Sequence, residues 1–261
     1  MTGASSGLGA ATAAHLASLG HRVYAASRRG TVDSASAALP LLRPLKIDVD
    51  DDASVDAGLD VIWRNESRLD VVVNCAGYGV AGPIEDTPLA MAQAQFDTNV
   101  FGVLRVCQRV LPLMRRQRAG LIVNVTSIAG ELSLPFQGIY SATKFAVEGL
   151  SEALRAEVRP FGIHVVLVQP GDFRTGFTDA RRTIAADGSP YAGRSVHALE
   201  TAARDERAGA DPRQLARLIA RIVDSRRPKL RYVVGPSAQE WLMRLRHVLP
   251  GRWLIARHYG A

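Results

Sequence analysis

The chain has 261 residues, which suits one α/β domain built on a single large core. Two cysteines exclude a disulfide framework, six histidines form no metal-ligand pattern, and no apolar run approaches the ~20 residues of a membrane span. No metal site is therefore expected; no signal-peptide pattern opens the sequence, so the expected location is cytoplasmic. The formal net charge of +7 is concentrated in residues 226–258, where eight Arg or Lys oppose one acid, Glu240, so the body is formally neutral and no nucleic-acid partner is expected.

In chain order, Thr2-Gly-Ala-Ser-Ser-Gly-Leu-Gly9 is a glycine-rich turn leading into a helical pattern through Leu8, Thr12, His15, Leu16 and Leu19. Gly3, Gly7 and Gly9 let the backbone turn tightly and approach a pyrophosphate, with the helix N-terminus facing the negative charge. Such a loop follows a buried parallel strand of ~5–6 residues. Only Met1 precedes Thr2, so that central strand is expected upstream of Met1. Residues 21–27 read as the next strand and end in Ser27, Arg28 and Arg29. Residues 45–49 read as a strand ending at Asp48 and Val49, with an acidic run through Asp52 suited to helix capping. Residues 69–74 form an apolar strand that runs into Asn74-Cys-Ala-Gly77. A long helix is expected over 89–114, and Asn99 inside it needs partners if buried.

Residues 121–125 read as a buried strand with Ser127 at its carboxyl end, the edge where open α/β sheets bind ligands. Apolar residues Leu132, Leu134, Pro135 and Phe136 follow and suggest a lipophilic pocket or local packing. A helix through Phe145, Val147, Leu150, Leu154 and Val158 begins near Tyr140 and Lys144, which stand four apart on one face. A free phenol titrates near ~10; a neighbouring ammonium favours the phenolate and is expected to draw Tyr140 toward the working range. A strand over 163–168 closes with Gln169-Pro-Gly171, and residues 176–210, rich in small and polar types, are expected to form a substrate lid. Asp211-Pro212 starts a helix ending near Asp224, and residues 231–234 read as a last strand. Trp241, Leu242, Leu245, Val248 and Leu249 then line one side of a basic amphipathic helix, suited to an anionic membrane, the domain's own core or a subunit contact.

Ser127, Tyr140 thirteen residues on (140 − 127), Lys144 and the Thr-Gly-x-x-x-Gly-x-Gly loop together resemble the signature of the short-chain dehydrogenase/reductases. The stretch Tyr140-Ser-Ala-Thr-Lys-Phe-Ala-Val-Glu-Gly-Leu150 is most similar to the branch holding 17β-hydroxysteroid and retinol dehydrogenases. The resemblance implies one doubly wound, mostly parallel Rossmann-type domain over residues 1–236, with the lid at about 176–210 and a C-terminal extension over 237–261. It implies hydride transfer between a nicotinamide nucleotide and a lipophilic secondary alcohol or ketone. Tyr140 would be the acid/base, Ser127 the oxygen anchor, Lys144 the modulator and a ribose ligand, and Asn99 the holder of a water in a proton relay. Gly3, Ser5, Ser6, Gly7, Leu8 and Gly9 would cradle the pyrophosphate, Asp48 and Val49 the adenine, and Asn74, Ala76 and Gly77 would flank its ribose. Pro170, Gly171, Phe173 and Thr175 would hold the nicotinamide. Ser27 stands where an acid would favour NAD, and Arg28 after it points to NADP(H) over NAD(H), unless Arg28 and Arg29 are merely a solvated pair. The family also suggests a homodimer or homotetramer through the two long central helices. The alternatives are a reductase of small or acyl-linked carbonyls and a non-catalytic NADP-sensing interaction protein.

Overall fold

The computed structural model describes residues 1–184 and 188–246. Helix α1 (Gly7–Ser18) leads to β1 (Val23–Ser27), which is buried along its whole length. One turn of helix, α2 (Ser34–Ala37), precedes β2 (Leu42–Lys46), a half-exposed edge strand on which Pro44 is tolerated because one side of the ladder is open. The strand expected over 45–49 thus lies earlier. Asp48 ends it by turning the chain: its carboxylate accepts from the Asp50 N–H at 3.2 Å, and its own N–H donates to Ser54 Oγ at 2.9 Å. Asp51 caps α3 (Asp52–Glu66), and β3 (Val71–Asn74) follows, then the short β4 (Val80–Ala81).

The single helix expected over 89–114 is interrupted. It comprises α4 (Leu89–Phe96), a π-helical turn over Asp97–Phe101, and α5 (Gly102–Gln117). Strand β5 (Gly120–Val125), helix α6 (Gly138–Val158) and strand β6 (Ile163–Pro170) complete the centre. The segment expected as a lid is mostly regular: α7 (Phe177–Ala180), β7 (Arg182–Thr183), which pairs with β4, and α8 (Ala192–Arg207). Asp211 caps α9 (Pro212–Val223) as its sequence predicts, and β8 (Arg231–Val234) and α10 (Ser237–Leu245) close the described chain.

Strands β3, β5, β6 and β8 form one parallel sheet in the order β3-β5-β6-β8, and β1 pairs in parallel with β2. Met1 and Thr2 lie between the two sheets. The Ala26 N–H donates to the Met1 carbonyl at 2.8 Å, and the Thr2 N–H donates to the Val73 carbonyl at 2.9 Å. Burial lowers the Met1 amine to about 6. Alternate residues of the strands feed two cores. Leu121, Val123, Val166 and Val168 join Leu16, Leu215 and Ile219 of α1 and α9; Ile122 and Val165 join Val55, Val110 and Met114 of α3 and α5. Helices therefore cover both faces, and every strand delivers its carboxyl end to the same edge.

Of the alternatives for the apolar side of α10, Trp241 and Leu245 do not take the one of docking on the domain's own core. Gln239 and Met243 face the domain, while Trp241 and Leu245 are 60% and 46% exposed. Val248 and Leu249 lie outside the described residues. No helix among the described residues is long and apolar enough to cross a membrane.

Candidate active site

The carboxyl ends of the strands surround a cavity of about 610 Å³, within the range of cofactor and substrate clefts. One end is built from the 3–9 loop. A Cβ on Gly3 would stand 2.7 Å from the Cys75–Ala76 backbone, and one on Gly9 2.1 Å from the Gly3 carbonyl oxygen, so only glycine permits this packing. Thr2 Oγ1 accepts from the N–H groups of Cys75 and Ala76, at 3.1 and 3.2 Å, which pins the loop to the turn after β3. Ser6 stands at the α1 N-cap without a side-chain bond, leaving the first-turn N–H groups to an anion. Gly3, Ser5, Ser6, Gly7, Leu8 and Gly9 all line the cavity, as do Arg28, Asp48, Val49, Ala76 and Gly77. Pro170, Gly171, Phe173 and Thr175 line it from the β6 end, with Thr175 facing Gly7. This cradle of glycines and open N–H groups fits a dinucleotide.

Two expected residues sit behind the wall. Asn74 is not a lining residue: its Nδ2 donates to Asn124 Oδ1 at 2.9 Å, joining β3 to β5 beneath the cavity floor. Asn99, 1% exposed, donates from Nδ2 to the Tyr78 carbonyl (3.0 Å) and Thr143 Oγ1 (3.1 Å) and accepts from the Tyr78 N–H (3.1 Å). The π turn supplies the extra residue that aims this amide between the 74–78 turn and α6. Gly77 passes between Asn99 Oδ1 and Lys144 Nζ; a Cβ there would lie 3.0 and 3.9 Å from them.

The other end holds the hydroxyl, phenol and amine. Ser127 Oγ accepts from the Ala129 N–H at 3.1 Å and hydrogen-bonds Tyr140. Lys144 Nζ lies 5.6 Å from the Tyr140 ring centroid and donates to the Val125 carbonyl at 3.1 Å. The expected fall in the Tyr140 pKa is not found. Burial pushes it up to about 12, against the Ser127 bond that lowers it, and burial draws Lys144 down to about 8. Each group is desolvated in its charged form, and for groups one helical turn apart this outweighs their mutual attraction. Burial therefore favours the protonated phenol before the nucleotide binds.

The remaining wall was not legible beforehand. Of Leu132, Leu134, Pro135 and Phe136, only Leu134 lines the cavity, and Leu132 is buried in the protein. The apolar wall comes instead from Leu134 with Tyr78, Phe173 and Phe177. The Phe177 ring stands 5.7 Å from that of Tyr140, and Arg182 lies over the Tyr78 ring at 4.7 Å. Glu206 of α8 also lines the cavity, and Gln239 of α10 braces it by accepting from the Asp172 N–H at 2.8 Å. No spacing announces Phe177, Glu206 or Gln239, since tertiary packing alone carries them to the strand ends. Cys75 and Cys107 are free thiols, and no cluster of metal-binding side chains occurs among the described residues.

The family model for short chain dehydrogenases matches residues 1–185. A 3-ketodihydrosphingosine reductase of Bacteroides thetaiotaomicron is 42% identical over 252 residues, covering 96% of this chain and 92% of that one. Retinol dehydrogenase 8 of Bos taurus is 34% identical over 249 residues, covering 88% of this chain and 79% of the other. Among solved structures, a short chain dehydrogenase/reductase of Burkholderia phymatum in complex with NAD superposes with a TM-score of 0.79 at 30% identity, covering 95% of this chain and 91% of that one.

Proposed function

The chain belongs to the short-chain dehydrogenase/reductase family and is an oxidoreductase that acts with NAD(P) on an alcohol or carbonyl group; within that class, we propose that it interconverts a lipophilic secondary alcohol and its ketone with preference for NADP(H). The observation that carries the substrate reading is the aromatic and aliphatic wall of Tyr78, Leu134, Phe173 and Phe177 around the Ser127–Tyr140 pair. Relatives named for a long-chain keto base and for retinol support it. For the nucleotide, Ser27 stands where an acid would bind both ribose hydroxyls, its Oγ is occupied by the Gly30 N–H at 3.1 Å, and the exposed Arg28 lines the cavity beside it.

The nucleotide supplies or accepts the hydride when bound in the glycine cradle. The chain supplies the rest. Tyr140 donates its proton to the carbonyl oxygen, which Ser127 Oγ holds by a second hydrogen bond. Lys144 stabilises the resulting phenolate and is positioned for the ribose hydroxyls. Asn99 fixes the 74–78 turn against α6, so that the cradle and the catalytic helix keep one register. We extend the proposal to two partners. Phe101, Phe145 and Leu150, 48%, 40% and 40% exposed near and along the central helices, support self-association, and exposed Trp241 and Leu245 in the basic C-terminal region support contact with an anionic membrane.

Titration against NADPH and NADH by nicotinamide fluorescence tests the nucleotide reading. NADPH is expected to bind at least about tenfold more tightly, with Arg28→Ala abolishing the difference through loss of one charged phosphate contact. Equal or reversed affinity in the parent protein defeats it. In a ketone screen, Tyr140→Phe is expected to cut turnover by ~10²–10⁴-fold while nucleotide affinity stays unchanged.

A further inference from the structure

The lid wall of the cleft carries a charge that the reaction does not use. Glu206, at the C-terminal end of α8, lines the cavity together with Tyr140, Phe177 and Ala180. Its carboxylate is fixed by two groups of the facing α7 segment: the Arg181 guanidinium pairs with one oxygen, and Thr178 Oγ1 donates to the other at 2.6 Å. The side chains of Arg181 and Glu206 are only 5% and 13% exposed, and Arg181 Nε is buried without a hydrogen-bond partner. Arg181 also lies over the Phe177 ring, 6.0 Å from its centroid, and Phe177 packs against Tyr140. The carboxylate is thus linked to the catalytic phenol through two side chains, Arg181 and Phe177.

A buried ion pair is a poor way to join two helices, because desolvation offsets most of the attraction and apolar residues of similar volume serve as well. It is a good way to hold an acceptor in a fixed place. Each carboxylate oxygen accepts more than one hydrogen bond, so Arg181 and Thr178 orient Glu206, a residue of the cavity wall, without saturating it. The other acid at this end, Asp172, is engaged by Gln239, and the nearest lining cations are Lys144 and Arg182. Glu206 therefore presents a fixed hydrogen-bond acceptor at this part of the wall, which suits a donor group of a ligand.

We infer that Glu206, held by Arg181 and Thr178, is a substrate subsite that recognises a hydrogen-bond donor, hydroxyl or ammonium, carried a few bonds from the reacting carbonyl of an otherwise lipophilic ketone. This rests on the ketone-reductase reading above and narrows it: one end of the ligand is hydrocarbon against Leu134, Phe173 and Phe177, and the atoms beside the carbonyl are polar. Plain ketones offer the carboxylate no bond beyond those it already has to Arg181 and Thr178, whereas a donor-bearing ketone adds one.

The experiment compares acetophenone, α-hydroxyacetophenone and α-aminoacetophenone by kcat/KM, and their product alcohols by thermal stabilisation of the nucleotide complex. Parent protein is expected to favour a donor-bearing probe over acetophenone by at least about tenfold in both readouts. Glu206→Gln keeps an acceptor and is expected to erase an ammonium preference but only weaken a hydroxyl preference, which separates the two donors. Thr178→Val, which removes one of the two groups that orient the carboxylate without removing its charge, is expected to reduce the preference. Equal use of all three probes by the parent protein overturns the subsite, as does an equal loss on every probe in both variants. Failure to reduce any probe with either nucleotide counts against the ketone-reductase reading, whereas the stabilisation by product alcohols still decides the subsite.

Discussion

Lys144 and Tyr140 have opposite pKa displacements from one cause. Both are buried, so each is held nearer its neutral form. For Lys144 the stability consequence has a definite sign. Its folded pKa of about 8 lies below the ordinary 10.5, so between those values the unfolded chain binds the proton that the folded chain has lost, and stability rises with pH. Below about 8 the folded protein must keep a buried charge, at a cost on the order of 3 kcal/mol. Lys144→Met, of similar length and uncharged, is therefore expected to raise the thermal midpoint of the nucleotide-free protein by several degrees at pH 7, to flatten the rise in stability above pH 8, and to abolish turnover. Unchanged or lower midpoints by calorimetry at pH 7 would show that the bond to the Val125 carbonyl outweighs desolvation. Tyr140 and Lys144 are legible from their spacing alone, but the direction of the phenol's shift is not. Spacing reports that a cation is near; it does not report how much water both groups have lost.

At the scale of elements, the π turn over Asp97–Phe101 converts a core helix into a brace. Periodicity places Asn99 inside a long helix and stops there, because one extra residue in a turn leaves the apolar pattern on both sides intact. Its partners lie on the 74–78 turn and on α6, distant in sequence, so only the folded chain identifies them. Asn99→Leu removes the acceptor of the Tyr78 N–H and one donor each from the Tyr78 carbonyl and the Thr143 hydroxyl, which keep their bonds to Gln95 and to the Tyr140 carbonyl. The expected loss is ~2–4 kcal/mol in urea unfolding, with nucleotide affinity falling at the same time because the turn that carries Ala76 and Gly77 is released. A loss within 0.5 kcal/mol would mean that the turn holds without the amide. Helix α8 was unreadable for a different reason. Ser195 is its only buried residue among the described ones, so it has no apolar stripe to find.

For the whole molecule, three of the exposed large apolar residues lie on or beside the two long central helices. Phe101 follows Asn99 in the π turn, while Phe145 and Leu150 lie along α6, on the outer surface of the central layer. Sedimentation velocity is expected to show a dimer or larger species, and Phe145→Glu to shift it toward monomer by placing a charge in the buried contact. A monomer in the parent protein would refute this assembly. Flotation with phosphatidylserine vesicles, but not with phosphatidylcholine vesicles, is expected for the parent chain and lost in Trp241→Ser; indifference to lipid charge would leave the basic C-terminal region without a membrane role.

By itself the sequence determined the parallel α/β architecture, the glycine cradle and the serine, tyrosine and lysine at the strand and helix that carry them, because each of these is written in local spacing: apolar runs for strands, glycines where no Cβ fits, four residues for one helix face. The tertiary structure decided what spacing cannot encode. It joined Asn74 to Asn124 away from the cavity lining, turned Trp241 outward and Gln239 inward, added Phe177 to the expected Leu134 and Phe173, and brought Glu206 into the same cavity as Tyr140 from sixty-six residues away (206 − 140). Those placements depend on which surfaces exclude water when distant segments meet, and a chain position holds no record of that until the segments have packed.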